Sequence, residues 1–303
     1  LDATFYQKFD KESAPRQPAS DGSLPLYSAW SRYVTSDKRK DPLVSTLHQY
    51  SLQWGLFVEW AQAQHPKIQY LTDVTDARAS AFMRYMVTKR KVSASTFNKY
   101  RNLLQNVFKI LFKELHIDRP NPWSDIQLKR VERRERRREA FSAEEAAMIL
   151  EKASGWLKTM FYLGFFTGQR LVDCCRLQWK QVDVKTGVVS VVPQKTRHST
   201  GLLVDLPMHP DLRRHLQELW AKRRGDSSYV LPKIAAMHKR RPWKLCGEIG
   251  EFLTGCGFQL HKEGTGENGT RALPQYGFHS TRHTFVTICR QAGVADAVIK
   301  AIV

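Results

Sequence analysis

Two stretches of helical periodicity are separated by one stretch that has none, and this break constrains the fold more than any single residue does. Between Arg119 and Phe141, Pro120 and Pro122 interrupt the backbone, and Lys129 to Glu139 hold seven basic and three acidic residues in eleven. Proline removes a helix donor, and charges at this density resist burial, so one core cannot run through the segment. The chain is expected to form two domains joined there, since 303 residues with 42% hydrophobic content can fill two cores. The expected boundaries are an N-terminal arm over 1–40, a helical domain over 41–120, a basic linker over 121–140 and a second domain over 141–303.

The arm is rich in Pro, Ser and Lys; Pro15, Pro18 and Pro25 block long helices, and Tyr27, Trp30 and Tyr33 are its apolar anchors. Leu47, Tyr50, Trp54, Phe57, Val58 and Ala61 recur at helical spacing. A second helix runs from Thr75 through Ala79, Phe82, Met83 and Met86. A third carries a wide stripe from Phe97 through Leu104 and Phe108 to Leu115. The second domain opens on Ser142-Ala143-Glu144-Glu145, a capping box ahead of Ala146, Ile149 and Leu150. An apolar helix with Met160, Phe161 and Leu163 follows, ended by Thr167-Gly168, after which Arg170 opens another. Val188–Val192 and Leu202–Leu206 read as an antiparallel strand pair. Further helices are expected over Leu212–Trp220, over Ile249–Phe258 and through the Phe278 region. The fold class is therefore mainly α in two domains, the first all helical and the second mixed α+β with a small antiparallel sheet.

Lys plus Arg number 48 against 29 Asp plus Glu, a net charge of +19 that a polyanionic partner would neutralise. Nucleic acid is the leading partner. No apolar run approaches the roughly 20 residues that a membrane span needs, and no signal-like segment opens at Leu1, so a cytoplasmic location is expected. Five cysteines at irregular spacing form neither a disulfide framework nor a metal site, and no nucleotide-binding glycine motif is present; no cofactor or metal is expected. The glycines between Gly264 and Gly269 read as a surface loop.

Phe278-His279-Ser280-Thr281-Arg282-His283-Thr284 packs two imidazoles and a guanidinium into seven residues. Arg282 can grip a phosphate bidentately, and His279, three residues earlier on the same helix face, can move a proton near neutral pH. Alone, the cluster serves equally as a solvated helix face. Two other signals precede it, Thr167-Gly168-Gln169-Arg170-Leu171-Val172-Asp173 and Lys195 just after a strand.

In order and context these three signals resemble the tyrosine recombinases, the phage integrases and related site-specific DNA recombinases. The resemblance covers most of residues 45–303 and implies a SAM-like core-binding first domain and a catalytic second domain. It implies DNA cleavage and rejoining through a covalent 3′-phosphotyrosine, without metal or nucleotide, by a homotetramer assembled on two double-stranded sites. Arg170 and Arg282 would neutralise the transition-state phosphate, Lys195 would protonate the leaving oxygen and His279 would assist proton transfer; Asp173 and His283 would support them. Lys129, Arg130, Arg133, Arg134, Arg136, Arg137 and Arg138 of the linker, with Arg197, are candidate DNA contacts. The nucleophilic tyrosine is expected downstream of the H-x-x-R-H motif, but none follows Tyr276, so the chain as it stands is expected to be inactive. A noncatalytic DNA-binding protein on the same scaffold and a type IB topoisomerase are the competing readings.

Overall fold

The computed structural model describes residues 24–131, 138–192, 203–223, 225–262 and 272–303. The chain divides into two compact units, Leu1–Arg133 and Arg134–Val303.

The first unit is built from α1 (Ala29–Thr35), α2 (Val44–Gln64), α3 (Asp76–Thr88) and α4 (Ala94–Glu114). Side-chain caps start two of them: Thr75 Oγ1 accepts from the Arg78 N–H before α3, and Ser93 Oγ accepts from the Thr96 N–H before α4. Their apolar stripes close on an aromatic core. Phe57 of α2 stands edge-on to Phe82 of α3 at 5.2 Å and to Trp123 at 5.3 Å. Trp123 lies in the segment read from sequence as linker, yet it is fully buried. Asn121 pins the turn that delivers it, donating to the Gln105 carbonyl at 2.8 Å and accepting from the Trp123 N–H at 3.0 Å. Trp30 and Tyr33 of α1 are buried in the same core.

The second unit begins with α5 (Ala143–Lys152), whose capping box is formed: Ser142 Oγ accepts from the Glu145 N–H at 3.1 Å, and the Glu145 carboxylate accepts from the Ser142 N–H at 2.8 Å. It continues through α6 (Gly155–Thr167), α7 (Leu171–Cys175), β1 (Val182–Asp183), β2 (Val188–Val191), β3 (Val204–Pro207), α8 (Pro210–Ala221), α9 (Pro232–Arg240), α10 (Pro242–Gly255), β4 (His261–Lys262), β5 (Leu273–Pro274), α11 (Phe278–Gln291) and α12 (Asp296–Ile302). The first three strands form an antiparallel sheet in the order β1-β2-β3, with Val189 opposite Leu206 and both buried. The expected mainly helical fold with a small antiparallel sheet is what forms. β1, α9 and the β4–β5 pair were not foreseen, being short or weakly patterned. α10 starts at Pro242, seven residues before the expected Ile249, because proline fits a first helical turn.

Two contacts position α11. It crosses the buried α6 at Gly164, where an added Cβ would stand 2.5 Å from Thr281 Oγ1 and 3.0 Å from the Phe278 ring. Thr284 Oγ1 accepts from the Phe141 N–H at 2.8 Å, tying the start of the unit to the same helix.

Candidate active site

The site is organised by the turn after α6. Gly168 takes the left-handed conformation at φ 62°, and its N–H closes on the Gly164 carbonyl at 3.1 Å. Arg170 then sits extended as the cap residue of α7. The reversal aims the Gly168 carbonyl at α11, where Arg282 Nη1 donates to it at 2.9 Å. Arg282 is only 8% exposed. Its guanidinium has five donors in a rigid fork, so one nitrogen can be anchored by backbone while others remain for a ligand.

The electrostatics around Arg282 are dominated by positive charge held away from water. Burial and the nearby positive Arg170 lower the Arg282 pKa to about 10, while Asp173 and Cys174 favour its charged form. Arg282 stays charged at neutral pH, but at a cost that a negative ligand would relieve. Asp173, on the first turn of α7, is the carboxylate that offsets part of this positive charge.

His279 lies on the first turn of α11 and keeps an exposed edge. Partial withdrawal from water, then the positive influence of His283, Arg138, Arg282 and Arg170, push its pKa down to about 4. At neutral pH it is therefore a neutral imidazole able to accept a proton. His283 stands edge-on to it, ring centres 5.0 Å apart. Arg138 is held nearby by its neighbour: the Glu139 N–H donates to the Gln275 carbonyl at 2.8 Å, and its carboxylate accepts from Lys262 Nζ at 2.5 Å and Tyr276 Oη at 3.1 Å. The Arg138 guanidinium consequently lies against Gly277, with Nη1 3.0 Å from where a Cβ would be. Tyr276 is spent in this brace; burial and Glu139 push its pKa up to about 12, which disfavours a phenolate nucleophile.

Arg170, Asp173, His279, Arg282 and His283 thus come together, drawn from the turn after α6, α7 and α11. Arg138, expected only as a backbone contact, joins them beside His279. Lys195, Arg197, Arg133, Arg134, Arg136 and Arg137 lie outside the described residues. Lys129 and Arg130 belong to the first unit, where Asn98 brackets Lys129 through both its N–H and its carbonyl at 2.8 Å each, and Lys129 Nζ lies 4.8 Å over the Phe97 ring. Sequence reasoning missed the Gly168 carbonyl as the anchor of Arg282, because no side-chain pattern reports a backbone acceptor. Among the described residues no cluster of His, Cys, Asp or Glu could hold a metal ion, and no helix is long and apolar enough to cross a membrane.

Fold and site together define a mainly helical protein whose second unit brings two guanidiniums and an imidazole within electrostatic reach of one another. Residues 139–303 match the phage integrase family, and the chain belongs to that family. The integrase of Enterobacteria phage 434 is 27% identical over 146 residues, 46% of this chain and 38% of the relative, so the match spans about two fifths of that protein's length. Solved structures share the fold. A lambda integrase tetramer bound to a Holliday junction superposes with TM-score 0.65 at 18% identity, covering 96% of this chain and 78% of that one. The Tn1549 transposon integrase in complex with circular intermediate DNA gives 0.61 at 15% identity, covering 92% and 91%.

Proposed function

We propose that this protein is a site-specific DNA recombinase of the tyrosine type, and that its second unit holds the scissile phosphodiester between Arg170 and Arg282. The observation that carries this reading is the pairing of two guanidiniums, one anchored by backbone, beside a neutral imidazole in a unit of the phage integrase family. The DNA and the tetramer named for the lambda integrase structure are the partners proposed here for this chain.

In the proposed reaction a tyrosine oxygen bonds to phosphorus as the bond from phosphorus to the 5′ oxygen breaks, leaving a 3′-phosphotyrosine and a free 5′ hydroxyl. His279 accepts the tyrosine's proton, and Lys195 delivers a proton to the departing oxygen. Arg170 and Arg282 neutralise the charge that collects on the nonbridging oxygens. Rejoining is the reverse, with the 5′ hydroxyl of another strand as attacker. Tyr276 is committed to Glu139 and is not proposed as the attacking tyrosine. The test is a denaturing gel of full-length protein incubated with nicked site DNA. A covalent adduct is expected, abolished by Arg170→Ala or Arg282→Ala while DNA binding persists. Variants that lose binding and cleavage in proportion would refute the catalytic assignment.

A further inference from the structure

The turn that presents Arg170 also holds a third element. Gln169 is 3% exposed, and its side-chain nitrogen donates to the Ile302 carbonyl at 3.0 Å and to the Thr167 carbonyl at 3.4 Å. Both partners are acceptors, so the amide orientation is fixed; turned over, it would set oxygen against oxygen. Its own Oε1 is buried without a donor among the described residues. An amide buried in this way is costly unless its donor end secures something.

What it secures is the end of α12. Ile299 is the buried side chain of this short helix, Asp296–Val298, Lys300 and Ala301 are exposed, and Ile302 is half-buried. So few apolar anchors place α12 among the segments that open most readily, and one hydrogen bond at its end then matters. Three consecutive residues therefore tie three parts of the site: the Gly168 carbonyl holds Arg282, Gln169 holds α12, and Arg170 follows directly.

We infer that Gln169 is a positioning residue that couples the end of α12 to the arginine pair, so that a phosphodiester seated on Arg170 and Arg282 orders α12. The inference rests on the reading of those arginines as a phosphate site. Coupling of this kind is reciprocal: whatever displaces α12 loosens the turn on which the arginines depend. The chemistry needs no new group, only the amide donor, which methionine matches in length and lacks.

Hydrogen exchange followed by mass spectrometry, with and without a mixed-sequence DNA duplex at low salt, tests it. Gln169→Met is expected to speed exchange of the amides over 297–303 about tenfold without DNA, leaving α6 and the interior of α11 unchanged. DNA is expected to slow exchange over 297–303 in the wild type but not in Gln169→Met. Gln169→Leu, which has no donor, gives the same pattern and stands in if the methionine variant fails to fold. Wild-type exchange over 297–303 in both variants, or full DNA protection in them, overturns the inference. Arg170→Ala separates the two readings. It should exchange like wild type without DNA and lose the protection that DNA gives; if protection survives there, the phosphate-site reading fails instead.

Discussion

Arg282 donates to the Gly168 carbonyl and, in the proposed site, to a phosphate as well, and only a forked cation performs both. Arg282→Lys is therefore expected to keep charge but lose alignment, lowering the rate of adduct formation by about a hundredfold or more on a denaturing gel. His279 gives a pH signature. Its pKa falls from 6.5 to about 4 on folding, so its share of stability is complete above pH 6.5 and is lost as pH falls through 4. Urea midpoints measured between pH 7 and 4 should decline less in His279→Gln than in the wild type. A bound phosphate favours the imidazolium, so DNA affinity at fixed salt should strengthen as pH drops from 7 toward 5, and His279→Gln should lose that trend. His279 and Arg282 were legible as a cluster of imidazole and guanidinium in seven residues, and Arg170 was singled out by the resemblance to the tyrosine recombinases. Gln169 was not, since a glutamine beside an arginine looks like ordinary surface until its partner on a distant helix is known.

At the level of elements, glycine governs how closely α6 and α11 approach and how the chain leaves α6. Gly168→Ala would place a Cβ in the left-handed region and against the Phe285 ring. The conformational part alone costs about 1–2 kcal/mol, and displacement of Phe285 adds to it, so the loss in denaturant unfolding should exceed that of Ser142→Ala. The latter removes one half of the α5 capping box and should cost about 1 kcal/mol. Equal losses for the two would contradict the close approach at Gly168. The capping box and the Thr167-Gly168 stop could be read from sequence because capping is local chemistry. The crossing at Gly164 could not, because it depends on Thr281 and Phe278, more than a hundred residues away.

For the whole molecule, a charge of +19 makes DNA affinity an ionic-strength measurement. Each phosphate neutralised adds about 0.9 to the slope of log affinity against log salt. Binding by several cations should therefore weaken by orders of magnitude between 50 and 200 mM salt, on the scale known for 6–10 phosphate contacts. A flat salt profile would exclude the phosphate backbone as the main contact. The first unit shows how far periodicity carries: its helical stripes were plain, yet Trp123, beyond two prolines, still returns to the core beside Phe57 and Phe82. The sequence by itself determined the helical stripes, the caps, the charge and the identity of the cations, all of which follow from neighbours within a turn or from composition. Only the tertiary structure decided that a glycine carbonyl would anchor Arg282, that Glu139 would hold Arg138 beside His279, and that Gln169 would reach α12. Those are pairings between groups 114, 137 and 133 residues apart or braced across that span, and their distances are set by how helices pack, not by any local pattern.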